Sequence, residues 1–222
     1  PVRQGLGRDH RAGPAVRLID AEADLAEGMA HLAAVCPVWA RVLPQIGPIP
    51  LRRRPDGFAA ILDAVISQQL SVASANAIAR KLAAAGLDTP SAILAASDEA
   101  LRACGLSAPK IRYLRGISAA GLDFDALAAL PDDEVIAILT ALPGIGRWTA
   151  EIYLMFALGR ADAFCPDDLA LQESARLMYG LPERPKGRAL AELARPWQPW
   201  RSVAARGLWA YYRLAKGREG IT

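Results

Sequence analysis

Two adjacent carboxylates, Asp167 and Asp168, stand at a place in the chain that suits chemistry. They follow a Cys-Pro pair and precede an amphipathic segment at residues 169–178. A carboxylate at the N-terminus of a helix is stabilised in its charged form. Such a group could offset the positive charge that builds on a sugar during glycosidic cleavage, or activate the attacking water. The residues alone leave a second interpretation open, in which either aspartate only caps the helix.

A turn with two glycines is the second candidate for chemistry. Gly144 and Gly146 flank Ile145 and allow a tight turn with close backbone approach. The free amides of a helix that begins at Gly146 would attract an anion, and Arg147 lies beside them in the chain. A nucleic-acid phosphate satisfies both features. The alternative is a plain helical hairpin that binds nothing.

The elements that flank this turn are predicted to be helices. Apolar residues at i, i+3, i+4 and i+7 from Val135 to Leu142 predict one helix, with Pro131 at its first position and Pro143 at its end. A second helix follows the turn and is predicted to bury one apolar face. That face comprises Trp148, Ile152, Met155 and Phe156. The sequence therefore predicts a helix-hairpin-helix at about residues 131–158.

The rest of the chain is also predicted to be helical. Residues 18–35 have helical spacing, whereas residues 44–55, with four prolines and three consecutive arginines, are predicted to be a linker. Ser71, Thr89 and Ser97 are good N-cap residues and predict the starts of three further helices. No pattern typical of strand hairpins is present. The expected fold class is therefore all-α.

Composition sets wide limits on the class of protein. The 222 residues carry a net charge of +3, and the part from residue 141 onward is the more basic. This suggests a polyanionic partner, although a chance asymmetry of the solvated surface is the simpler explanation of the charge alone. Three distant cysteines form neither a disulfide framework nor a zinc pattern, so a reducing cytoplasm is expected. No apolar run is long enough to cross a membrane, and residues 1–14 are predicted to be a disordered tail.

Taken together, several motifs resemble the helix-hairpin-helix (HhH-GPD) DNA glycosylase superfamily, and most closely its bacterial 3-methyladenine DNA glycosylase II group. The resemblance covers roughly Pro55 to Tyr212. The matching motifs, in chain order, are Ser67-Gln68-Gln69-Leu70-Ser71-Val72, Leu142-Pro143-Gly144-Ile145-Gly146-Arg147-Trp148-Thr149-Ala150, Cys165-Pro166-Asp167-Asp168, Trp197-Gln198-Pro199-Trp200-Arg201-Ser202 and Trp209. Each motif is short, but the set is specific because the motifs occur in the family's order and spacing.

The resemblance implies functions for the second aspartate and for two tryptophans. Asp168 is the implied catalytic carboxylate, and Asp167 is a neighbour that could cap the helix. Trp209 is expected to stack on the flipped base and Trp148 to line the base pocket, where an electron-rich indole face would attract a cationic alkylated purine. Taken singly, each tryptophan is more often a core anchor. Arg201 is expected to pair with an aspartate or a phosphate.

The resemblance also implies how DNA is held. Gly144, Gly146 and Arg147 are expected to contact a phosphate, and a monovalent cation could be held there by backbone carbonyls. The implied carbonyls are those of Thr140, Leu142 and Gly144. Gln69 and Leu70, between two predicted helices, are the implied wedge that fills the gap left by the flipped base. The alternative is that Leu70 belongs to the core and Gln69 only faces solvent.

This chain lacks some of the residues that other members of the family use. Bifunctional relatives use a lysine nucleophile where this chain has Trp148, so base hydrolysis without AP lyase activity is expected. No cysteine follows Cys165, which excludes the family's iron–sulfur cluster. Family members often have tyrosines at the positions of Ile152 and Leu169, so this chain has fewer aromatic walls, which could alter the range of lesions that it accepts. An extra N-terminal sheet domain is not expected.

The sequence thus predicts a monofunctional DNA glycosylase that flips alkylated bases of the 3-methyladenine type out of duplex DNA and hydrolyses the glycosidic bond. Two helical subdomains are expected, residues 15–55 plus 161–222 and residues 56–160, with damaged DNA in the cleft between them. A monomer in the cytoplasm, associated with the nucleoid, is expected. The alternatives are a glycosylase of the same fold for ethenoadducts, deaminated or oxidised bases, and a non-catalytic helix-hairpin-helix DNA-binding protein.

Overall fold

The structure, a computed structural model, describes residues 16–217. Within that range the chain is helical, and its only strand-like feature is an isolated antiparallel bridge between Leu18 and Arg160. The helices are α1 (Glu22–Val35), α2 (Pro37–Ile46), α3 (Phe58–Ser67), α4 (Val72–Ala84), α5 (Pro90–Ala95), α6 (Asp98–Ala103), α7 (Ala108–Ala119), α8 (Phe124–Ala128), α9 (Asp132–Thr140), α10 (Arg147–Ile152), α11 (Leu169–Tyr179), α12 (Gly187–Leu193) and α13 (Arg201–Lys216). A π-helical turn, Tyr153–Ala157, continues α10, and a 3-10 turn, Arg195–Trp197, precedes α13. The all-α prediction is confirmed, and the predicted tail at residues 1–14 lies outside the described residues.

Three helices begin where their capping residues predicted. The hydroxyl oxygen of Ser71 accepts a hydrogen bond from the backbone N–H of Ser74 at the start of α4. Thr89 and Ser97 accept equivalent bonds at the starts of α5 and α6. Each cap satisfies a backbone donor that has no partner inside its helix, which typically stabilises a helix by about 1 kcal/mol.

Two boundaries differ from the predictions. Pro44 was assigned to the linker, but it lies in the last turn of α2. There it removes a single backbone hydrogen bond, and the buried Trp39 and Val42 hold the helix in place. Pro131 is the N-cap of α9 rather than its first residue, because its ψ of 152° is extended.

The N-terminal helices pack against the C-terminal helices. α1 and α2 both contact α13, and α2 also contacts α11. Glycines allow these helices to approach closely: a Cβ atom at Gly28 would lie 2.6 Å from Cγ2 of Val203, and one at Gly207 would lie 2.8 Å from the ring of Trp39. Larger residues at these positions would push the helices apart.

The middle of the chain forms a second set of packed helices that carries the hairpin. α3 packs on α4 and α7, α5 and α6 pack on α7, and α9 packs on α10. The ammonium group of the buried Lys110 donates to the carbonyl of Ile66 at 2.6 Å, which joins α7 to the end of α3. No helix within residues 16–217 is long and apolar enough to span a bilayer.

Candidate active site

Asp168 is held by three N–H donors. Its Oδ1 accepts from the backbone N–H of Leu171 at 2.9 Å and from Nε1 of Trp209 at 3.3 Å. Its Oδ2 accepts from Nε1 of Trp148 at 2.9 Å. The residue is only 6 % exposed. An ionised carboxylate can accept all of these bonds, so the site is built to fix its orientation.

The two sequence interpretations of Asp168 are not exclusive. Asp168 is the N-cap of α11, and its bond to Leu171 is the capping bond. Asp167, the other candidate for the cap, does not have this position. Because the carboxylate also accepts from two indoles, capping uses only part of its hydrogen-bonding capacity.

A pocket of about 660 Å³ opens in front of this site. It is lined from the residue-52 segment, α3, the turn after α3, α4, α10 and the π-helical turn. The lining residues are Arg52, Arg54, Asp63, Ala64, Ser67, Gln68, Gln69, Leu70, Val72, Ala75, Asn76, Trp148, Thr149, Ile152 and Phe156. The volume is in the range of small-molecule binding sites.

Trp148 lies between this pocket and Asp168. The ring lines the pocket and is 38 % exposed, whereas it was predicted to lie on the buried face of its helix. The prediction followed helical spacing, but the indole N–H donates to the Asp168 carboxylate, which lies behind the pocket wall. Asp168 itself does not line the pocket, contrary to the expectation that it faces the mouth of a cleft. The indole of Trp148 therefore covers the Asp168 carboxylate on the side of the pocket.

Trp209 is more deeply buried than expected. It is buried, it is not among the residues that line the pocket, and its ring stacks on Phe156 with centroids 5.9 Å apart. Contrary to expectation, Trp209 does not reach the pocket wall, whose aromatic side chains are Trp148 and Phe156. Trp209 instead contributes its N–H to Asp168.

The hairpin turn is shaped by close packing. Gly144 has a φ of +79°, and a Cβ atom there would lie 2.4 Å from the ring of Tyr113. Gly146 is the N-cap of α10 and has open space around it. The side chain of Arg147 is exposed beside it. The structure therefore brings together the three residues that were predicted to contact a phosphate.

Behind Arg147 lies a buried acid that sequence analysis missed. Oε1 of Glu151 accepts from Nε of Arg147 at 2.9 Å, and the residue is 2 % exposed. Its Oε2 is buried without a hydrogen-bond partner among the described groups. Burial raises the pKa of Glu151 to about 7, although the charge of Arg147 opposes the shift. An acid one turn after a hairpin arginine was the available sequence signal.

The turn between α3 and α4 projects into the pocket rim. Leu70 is 41 % exposed there, so the alternative that it belongs to the core is wrong. Gln69 has a φ of +57°, a strained conformation for a residue other than glycine. The preceding Gln68 donates from Nε2 to the carbonyl of Gly144 at 2.9 Å. The predicted wedge and the predicted phosphate-binding turn are therefore directly connected.

Charged residues also line the pocket, from a segment that the sequence analysis treated as a linker. Arg54 pairs with Asp63 at 3.0 Å, and Arg52 lies beside them. The backbone N–H of Arg54 donates to the carbonyl of Phe156 at 3.0 Å, which fixes this segment against the π-helical turn. The run of three arginines was the visible signal. Arg201, by contrast, pairs with Asp162 at 2.7 Å, as one of its two predicted alternatives required.

Two of the three carbonyls predicted to hold a cation already have hydrogen-bond partners. The carbonyl of Gly144 accepts from Gln68, and that of Leu142 accepts from the N–H of Ile145 at 3.3 Å. A carbonyl oxygen has two lone pairs, so each can also face a cation. Within residues 16–217 no cluster of three or more acidic, histidine or cysteine residues is placed to hold a metal. The described cysteines are free, and burial raises the pKa of the Cys165 thiol.

Residues 62–199 match the family model described as the HhH-GPD superfamily base excision DNA repair protein. The chain belongs to the HhH-GPD superfamily. The helix-hairpin-helix formed by α9, the glycine turn and α10, and the aspartate at the start of α11, both lie inside the matched region.

Relatives in this superfamily match most of the chain. DNA-3-methyladenine glycosylase 1 of Schizosaccharomyces pombe is 32 % identical over 83 % of this chain and 86 % of its own length. The alkylbase DNA glycosidase-like protein mag2 of the same yeast is 29 % identical over 87 % of this chain and 96 % of its own. The solved structure of the S. pombe 3-methyladenine DNA glycosylase Mag1 in complex with abasic DNA superposes with a TM-score of 0.71, at 30 % identity, over 88 % of this chain and all of that chain.

Proposed function

We propose that this HhH-GPD protein is a monofunctional DNA glycosylase that excises alkylated bases of the 3-methyladenine type from duplex DNA. The single observation that carries the proposal is the Asp168 carboxylate, fixed by two indole N–H groups and one backbone N–H behind the 660 Å³ pocket. The similarity to the yeast 3-methyladenine glycosylases supports the same substrate class.

The carboxylate would act at the sugar of a flipped nucleotide. When Trp148 moves aside, Oδ2 of Asp168 loses the one donor that residues 16–217 supply to it, while Leu171 and Trp209 still hold Oδ1. The freed oxygen would then stabilise positive charge on the sugar and orient the attacking water. The departing base would occupy the pocket against Phe156 and Ile152.

DNA would be gripped by the hairpin and by the turn after α3. Gly144, Gly146 and Arg147 would contact a phosphate, and Gln69 or Leu70 would fill the gap in the base stack. A monovalent cation, held by the carbonyls of Thr140, Leu142 and Gly144, would supply a positive charge toward the phosphate. The hydrogen bond from Gln68 to Gly144 would fix the position of the hairpin relative to the turn after α3.

The proposal also covers the organisation of the protein. Residues 15–55 plus 161–222 and residues 56–160 would be two subdomains, with DNA across the cleft between them. The packing of α1 and α2 on α11 and α13, separate from the packing around α7, supports this division. In this proposal the protein acts as a monomer in the cytoplasm, associated with the nucleoid.

The test is base release from a duplex with one alkylated base. The protein should release the base and leave an intact strand with an abasic site, and borohydride should trap no covalent adduct, because Trp148 stands where a lyase needs a lysine. An undamaged duplex is the control. Strand cleavage with a trapped adduct would contradict the monofunctional assignment, and absence of release from any damaged duplex would contradict the proposed activity.

A further inference from the structure

A buried guanidinium lies directly behind the wall of the base pocket. Arg206 of α13 is 4 % exposed, and all of its hydrogen-bond acceptors are neutral. Nη1 donates to the carbonyl of Ser202 at 3.1 Å and to its hydroxyl, and Nη2 donates to the carbonyl of Met155 at 3.0 Å. Nε is buried with no partner among the described groups. No carboxylate therefore neutralises this charge by direct contact in the described part of the chain.

Phe156 separates this charge from the pocket. The guanidinium of Arg206 lies 4.5 Å from the centroid of the Phe156 ring, and Phe156 lines the pocket. The guanidinium of Arg54 lies 6.0 Å from the same centroid. An aromatic ring attracts a cation through its electron-rich face. This wall already interacts with two cations of the chain itself, which weakens its attraction for a third.

The charge of Arg206 persists at neutral pH. Burial, together with the like charges of Arg53 and Arg52, lowers its pKa, but only to about 10. Arg54 is paired with Asp63, so its charge is compensated nearby. The proposed catalytic acid, Asp168, is bonded to Trp148 and therefore lies behind a different part of the wall. The electrostatic potential at the Phe156 wall of the pocket is therefore positive.

We propose that Arg206 makes the pocket favour damaged bases without a formal charge over bases that carry a positive charge. The inference rests on the proposed glycosylase function and extends its substrates beyond cationic bases of the 3-methyladenine type to neutral damaged bases. A purine alkylated at N3 or N7 is cationic in DNA, whereas an ethenoadduct or a deaminated purine is neutral. Like charges on opposite faces of one aromatic ring in a partly buried site still repel each other. Cationic bases would still be released, because their own charge weakens the glycosidic bond.

The experiment compares single-turnover release of 7-methylguanine and of 1,N6-ethenoadenine from matched duplexes. Arg206→Met removes the charge with a side chain of similar length, and Arg206→Lys keeps the charge as the matched control. The ratio of the cationic to the neutral rate constant should rise about tenfold in R206M, which corresponds to about 1.4 kcal/mol, and should stay within about twofold in R206K.

Arg54→Gln protects the test against a folding defect in R206M. Its side chain is partly exposed, and its loss leaves Asp63 unpaired at the pocket, so the ratio should rise in this variant too. An unchanged ratio in folded R206M, or in R54Q where R206M does not fold, overturns the inference while base release itself upholds the glycosylase function. An equal rise in R206K also overturns it. Absence of release from both duplexes by the unmodified protein overturns the proposed function and this inference with it.

Discussion

The indole N–H of Trp148 donates to Oδ2 of Asp168 at 2.9 Å, while the same ring forms part of the pocket surface. One side chain therefore both holds the proposed catalytic carboxylate and covers it. Trp209 contacts the other oxygen from behind, at 3.3 Å. The two tryptophans make similar bonds but should differ in function, because only the first must move for a sugar to approach.

This difference predicts opposite effects of two matched substitutions. Trp148→Phe removes a hydrogen bond that must break before the reaction, so single-turnover base release should stay the same or become up to about tenfold faster. Trp209→Phe removes a bond that persists in the transition state, so release should slow by about tenfold or more. Rates measured with saturating protein on one damaged duplex would check both. A severe loss in W148F with a normal rate in W209F would show that the assigned functions are reversed.

The exposed turn after α3 predicts a specific defect in binding to abasic DNA. Leu70 is exposed at the pocket rim beside Gln69, and an inserted side chain would offset part of the cost of unstacking. Gln69→Ala combined with Leu70→Ala should raise the Kd for abasic duplex about tenfold. Leu94→Ala, an equally exposed leucine on α5, is the control. Equal affinities of the double variant and the control would rule out the wedge.

Glu151 predicts an unusual dependence of stability on pH. Its pKa is raised from 4.5 to about 7 in the folded protein. Between those values the folded state binds more protons than the unfolded state, so the free energy of unfolding should fall as pH rises from about 4.5 to 7. The loss attributable to this group should be about 2 to 3 kcal/mol.

Glu151→Gln should remove this pH dependence, because an amide does not titrate. Denaturant unfolding of the two proteins at pH 5 and at pH 7.5 would measure the difference. Glu183→Gln, at an exposed position, is the control and should change nothing. If the unmodified protein and E151Q lose the same stability over this range, Glu151 is ionised throughout and its surroundings are more polar than its burial suggests.

Local sequence signals predicted several of the helices but not how deeply the side chains around the site are buried. Helical spacing and capping residues predicted α4, α5, α6 and the hairpin, because those signals are local. Family motifs selected Asp168, Trp148 and Trp209 but not their depth. How deeply a side chain is buried depends on tertiary contacts. The Asp168 carboxylate accepts from the indole of Trp148, which lies at the pocket wall, and from the indole of Trp209, which is buried behind that wall.

The arginines around the pocket were the feature of the site that was hardest to predict from the sequence. Arg52 and Arg54 come from a proline-rich segment that local rules assign to a linker, yet the backbone of this segment is bonded to the π-helical turn. Arg206 looks like an ordinary residue of an amphipathic helix, and nothing in the spacing indicates that its charge is buried without an acid. Long-range packing alone brings these arginines to one wall.

The most direct test of the account is base release by Asp168→Asn, with Asp167→Asn as the matched control. Asn keeps the size of the side chain and an oxygen that can still cap α11, so folding and binding to abasic DNA should be retained. In single-turnover assays on a duplex with one alkylated base, D168N should lose at least about a hundredfold in rate, and D167N should stay within about twofold. Near-normal release by D168N would contradict the central claim that the Asp168 carboxylate stabilises the charged sugar.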